Sequence, residues 1–101
     1  MKEQITTLEL GKCYRVKFEN ISWCISVYEK NVITENLTLL KTIDVGETSI
    51  NMRNYISDNI YRQNEEMKYE VQEISNSEFM HELRTKRNEI NKMIKKIAHC
   101  I

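Results

Sequence analysis

The chain has 101 residues, of which 41% are apolar and 30% charged, and its fifteen Lys/Arg are balanced by fifteen Asp/Glu. That length suits one domain with one core. The balance sets aside a disordered segment and argues against a dedicated nucleic-acid domain, which is normally far more basic.

The charge is unevenly placed: residues 1–74 hold 9 Lys/Arg against 12 Asp/Glu, and residues 75–101 hold 6 against 3. Cys13, Cys24 and Cys100 are odd in number and lack paired spacing, which disfavours a disulfide framework and points to a reducing compartment. The opening MKEQITTLEL has no signal-like apolar run, and no stretch approaches the ~18 apolar residues of a membrane span. Ile, Asn and Lys are abundant and Pro is missing. That bias fits AT-rich coding, so the expected setting is the cytoplasm of a bacterium or of a phage-infected host, with no membrane partner.

Two parts are expected, a β-rich body over 10–74 and a C-terminal helix over 75–101. Gly11 would let the chain bend into the first strand. Between Cys13 and Tyr28, the apolar residues Tyr14, Val16, Phe18, Ile21, Trp23 and Ile25 recur with period two, the mark of half-buried strands. A tight turn at Glu19–Asn20 would set Phe18 opposite Ile21, Val16 opposite Trp23 and Tyr14 opposite Ile25, with all six on one face. Residues 31–43 suit a strand (Ile33, Leu37, Leu39, Ile43, with three Thr) or a helix face (Ile33, Leu37, Leu40), and the Thr content favours strand. Asp44-Val45-Gly46 reads as a turn. Met52, Ile56 and Ile60 at four-residue spacing predict a short helix over 49–63, capped by Thr48 or Ser49. Met67, Tyr69 and Val71 alternate with polar residues, so 67–74 reads as a strand.

Ser75 followed by Glu78 is a capping-box pattern, and Phe79, Leu83, Ile90, Ile94, Ile97 and Ile101 follow at helical spacing. An unbroken helix to the end would span ~40 Å, whereas a body of some 70 residues has a radius of gyration of ~11 Å. The fold expected is therefore α+β: a small antiparallel sheet or open SH3-like barrel of four or five strands, and a terminal helix longer than its body.

The candidate functional residues lie on that helix. Leu83, Ile90, Met93, Ile94, Ile97 and Ile101 form an apolar stripe available to the parent sheet, a second copy or a foreign groove. Arg84, Lys86, Arg87, Lys92, Lys95 and Lys96 form a candidate basic face for phosphates, although Glu82 and Glu89 lie among them. Tyr14, Phe18 and Trp23 read as core, and Tyr28, on the opposite face, as the aromatic for an intermolecular contact. Arg15 and Lys17 could join the helix cations around a nucleotide at an oligomer interface.

No catalytic, metal or cofactor constellation stands out. His81 and His99 would be about 27 Å apart on one helix. Two glycines cannot build a phosphate loop, and Cys24 has no cation at local spacing to activate it. Glu65, Glu66, Glu70 and Glu73 read as a solvated edge and loop. The function expected is thus a non-catalytic protein-interaction module that self-associates through its last helix. It could be a phage- or mobile-element-encoded inhibitor or accessory protein. Nucleic-acid binding by the basic helix and nucleotide capture are the alternatives.

Overall fold

The computed structural model describes residue 5, residues 7–59 and residues 69–100. Five strands, β1 (Cys13–Phe18), β2 (Ile21–Thr34), β3 (Leu37–Val45), β4 (Ile50–Tyr55) and β5 (Glu70–Ile74), precede one helix, α1 (Asn76–His99). They form one sheet in the order β4-β3-β2-β1-β5, and every ladder is antiparallel. This is the α+β architecture read from the sequence: an antiparallel sheet with a long terminal helix.

The first hairpin has the expected register, with Tyr14 opposite Ile25, Val16 opposite Trp23 and Phe18 opposite Ile21. Its two-residue turn puts Glu19 in the left-handed region at φ 54°, a conformation that costs a side-chain-bearing residue ~1–2 kcal/mol. Gly11, at φ 80°, turns the chain so that its amide donates to the Val27 carbonyl.

Residues 31–43 are strand, but in two pieces. β2 continues to Thr34, the chain reverses at Glu35–Asn36, and β3 returns. β2 shifts register between Val27 and Glu29 and between Val32 and Thr34, as bulges do when they bend a strand. Asp44 and Val45 belong to β3 rather than to a turn, and the reversal begins at Gly46, whose amide donates to the Ser49 carbonyl.

The short helix expected over 49–63 is not formed in its described part. Residues 50–55 are β4, paired with β3 from Val45–Ile50 to Leu40–Tyr55. Pairing to the open edge of β3 satisfies these backbone groups, and a weak four-residue apolar spacing gives way to it. Residues 60–63 lie outside the described residues, as do 67 and 68 of the last expected strand.

The sheet carries one buried cluster on each face. On one, Tyr14, Val16, Ile25, Val27 and Leu40 form a core closed by Leu8, with Ile5, Trp23, Tyr55 and Val71 packed around it. Leu8 is pinned there by the hydrogen bond its backbone N–H donates to the Asp58 carbonyl and by the Thr7–Asn59 bridge. On the other, Cys13, Cys24 and Val45 receive Phe79 of the helix, with Ile43, Ile74 and Leu83 beside them. The side of the hairpin that carries Cys24 looks polar in the sequence but is where the helix docks. Small side chains leave room for the Phe79 ring.

Candidate functional site

The helix starts where the sequence places it. Ser75 is extended, and its hydroxyl accepts the Glu78 amide at 3.1 Å, satisfying one of the free donors of the first turn. Three side-chain contacts then lay the helix across the sheet. Cys13 donates its thiol to Asn76 Oδ1 at 3.0 Å, and Arg15 reaches Glu82 Oε1 at 3.3 Å. Phe79, only 3% exposed, fills the second core.

The crossing ends at the reversal between β3 and β4. There Lys86 donates from Nζ to the Glu47 carbonyl and pairs with Glu89 Oε2 at 2.9 Å. Beyond it the sheet stops and the helix continues. Ile90 is half-buried and every residue from 91 to 100 is exposed. About 13 residues, roughly 20 Å of helix, overhang the body.

This overhang divides the candidate residues. Leu83 packs into the second core and is already used within the chain. Ile90, Met93, Ile94 and Ile97 are the free part of the stripe, and Met93 is 53% exposed while Ile94 and Ile97 are each 57% exposed. Ile101 lies outside the described residues. At 100° per residue, all four lie within about 60° of the Phe79 direction. The unpartnered stripe is therefore the same face that binds the sheet, carried past the sheet's edge.

The basic residues divide as well. Lys86 is turned to the sheet side and engaged at Glu47, so it is not part of a free cationic face. Arg84, Arg87, Lys92, Lys95 and Lys96 are exposed and spread over about 180° of the side away from the stripe. Within the overhang, residues 90–100 carry three Lys and no Asp or Glu. Arg15 is held by Glu82 at 3.3 Å, while Lys17 is exposed.

A second feature escaped the sequence because it rests on β4. A cleft of ≈ 550 Å³ opens beside the first core, lined by Trp23, Asp44, Asn51, Arg53, Tyr55 and Tyr69 among others. Trp23 and Tyr69 meet edge to face at 6.0 Å. Asp44, 4% exposed, sits at the base. Thr42 donates to its Oδ1 and Tyr55 to its Oδ2, each at 2.7 Å, and Arg53 Nε lies 3.5 Å from Oδ2. Burial pushes the Asp44 carboxyl above its ordinary range, against the pull of those two hydroxyls and Arg53. The Tyr55 hydroxyl is raised by burial and by Asp44, so it stays a donor.

This network binds β4 to β3. Among the described residues, no buried side-chain polar atom lacks a partner. No three His, Cys, Asp or Glu side chains among the described residues gather as a metal site. Cys24 is buried, and that burial raises its thiol despite nearby Arg15, which makes it a poor nucleophile.

A third feature is the projecting end of the β2–β3 hairpin. Past Ser26, β2 has no partner in β1, and this arm exposes Tyr28, Val32, Ile33 and Leu39. Tyr28 is thus placed where a contact with another molecule is open to it. No described helix is long and apolar enough to cross a membrane.

Comparison with protein-family models, with curated proteins and with solved structures gave no match.

Proposed function

We propose that the chain is a non-catalytic interaction module that works by self-association through the overhanging half of α1. The observation that carries this is the change of environment along one face: Phe79 and Leu83 are packed on the sheet, whereas Met93, Ile94 and Ile97 on the same face are more than half exposed. A helix that only needed to cover its own sheet could end near Lys86. An apolar stripe in water is unfavourable unless something covers it at least part of the time.

The cleft supports the non-catalytic part. Its one buried acid is committed to Thr42, Tyr55 and Arg53, which leaves it poorly placed to serve as a general acid or base.

A dozen residues a side is below the ~20–30 of a standard interface, so the association belongs to the weak, concentration-dependent class. Sedimentation velocity over a concentration series tests it. The wild-type chain is expected to shift toward a larger species as concentration rises. Ile90→Glu combined with Ile97→Glu is expected to remain monomeric with an unchanged circular dichroism spectrum. An oligomer that survives both substitutions would move the contact elsewhere, the β2–β3 arm being the first place to look.

A further inference from the structure

The cleft beside the first core lies on the face of the sheet opposite α1. Its volume of ≈ 550 Å³ is that of a small-molecule site, and its two ends differ in chemistry. One end is aromatic. Trp23 and Tyr69 stand edge to face, with 6.0 Å between centroids and 85° between planes, so they enclose a right-angled corner of two π-faces. Phe18 backs Tyr69 at 5.4 Å. Such a corner takes a flat, unsaturated ring.

The other end is cationic. Arg53 rises from β4, two strands from Trp23 and about 10 Å across the sheet. Its Nε lies 3.5 Å from Asp44 Oδ2, and its side chain is 56% exposed. That pairing leaves the fork of its two terminal nitrogens for a carboxylate or phosphate. Asp44 is 4% exposed and fixed by Thr42 and Tyr55, so its part is to position Arg53 rather than to meet a ligand. Ser49, on the same cleft, accepts from Asn51 Nδ2 at 3.1 Å and keeps its own proton to donate. A cation is the wrong guest, since it would meet Arg53 and the buried Asp44 is out of its reach. Glu47, which also lines the cleft, limits the negative charge, so a single anionic group suits the site better than a polyphosphate.

We infer that the cleft binds a nucleoside monophosphate unit, its base stacked on Trp23 and Tyr69 and its phosphate held by Arg53 and Ser49. This site is apart from the cations of the opposite face, where Arg15 is taken up by Glu82.

Trp23 is the single tryptophan of the chain, so its own fluorescence reads the site. Titration of the full chain with adenosine and thymidine monophosphates is expected to quench it to saturation. Adenosine, which lacks the phosphate, and inorganic phosphate, which lacks the ring, are each expected to bind about tenfold more weakly or worse. Arg53→Gln is expected to weaken the nucleotides by the same factor, the worth of one charge-assisted hydrogen bond. Circular dichroism checks that this variant folds. Ser49→Ala is the second variant, with an expected loss of about threefold. Oligothymidylate separates two sources of the same chemistry. Tighter binding than thymidine monophosphate would place the nucleotide in a single strand, and equal binding would leave it free; both support the site. No saturable quenching by any nucleotide, equal affinity for adenosine and its monophosphate, or unchanged affinity in whichever variant folds would each overturn it. So would stronger binding of tetramethylammonium, the probe for a cation in the aromatic corner.

Discussion

Replacing Phe79 and Ile97 by alanine, one at a time, separates the two halves of α1. Both lie on the same helix face, but Phe79 is 3% exposed against the cluster of Cys13, Cys24 and Val45, and Ile97 is 57% exposed. Truncating a buried phenylalanine costs ~3–5 kcal/mol in lost transfer energy and residual cavity. The total stability of such a domain is ~5–15 kcal/mol. At ~4 °C per kcal/mol, the loss at Phe79 lowers the midpoint by at least ~12 °C. Ile97→Ala removes atoms that touch little within the chain, so its effect on the monomer should stay within ~0.5 kcal/mol. Urea unfolding followed by far-ultraviolet circular dichroism measures both, at protein concentrations low enough that dimer formation does not add to stability. A cost below ~1 kcal/mol at Phe79, or a cost at Ile97 equal to that at Phe79, would refute the division of the helix into a docked and a free half.

Ser75→Ala removes the acceptor of the Glu78 amide and is expected to cost ~1 kcal/mol in the same unfolding assay; no change would mean that the cap is replaced by water at no loss. Glu19→Gly relieves a left-handed residue worth ~1–2 kcal/mol at the expense of ~0.5–1 kcal/mol of glycine entropy, so a net gain of ~0.5 kcal/mol is expected. Asp44 gives a pH signature. Burial raises its folded pKa above an unfolded value of ~3.9, so between the two values the folded state holds the extra proton. This contribution to stability is fully present below the unfolded value and is lost as pH rises through the folded one. Asp44→Asn should remove that downward step, and urea midpoints measured from pH 3 to 7 on the mutant and wild type should converge at low pH apart from a constant offset. A wild-type contribution that increases with pH over this window would reverse the sign.

How much of this was legible in the sequence depended on how much of each element is buried. The β1–β2 register could be read because Tyr14, Val16, Trp23 and Ile25 all face one core and a two-residue turn permits only one pairing. The helix could be read because a cap and a long stripe coincide at Ser75–Phe79. β4 could not, because its alternation is two residues long: Asn54 follows Ile50 and exposed Met52 on one face, and Tyr55 shares the other with polar Asn51 and Arg53. The four-residue step from Met52 to Ile56 falls on the strand and the bend that follows it. The cleft was hidden with it, since Asp44 reaches Tyr55 and Arg53 only when β3 and β4 pair. The reversal at Glu35–Asn36 carries no Gly or Pro, and only the ladder reveals it. On the helix, the stripe and the cations follow from residue spacing, and the excess of helix length over body was visible. Where the sheet ends beneath the stripe was not. That boundary is set by Lys86 meeting the Glu47 carbonyl, a contact 39 residues apart in sequence.

The mass of the full 12.1 kDa chain in solution, followed by light scattering as concentration is raised, tests the central claim most directly. The wild-type chain should rise from the mass of one chain toward that of two, and the chain carrying both Ile90→Glu and Ile97→Glu should stay at one. A wild-type mass that holds at 12.1 kDa to the highest concentration reached would contradict it.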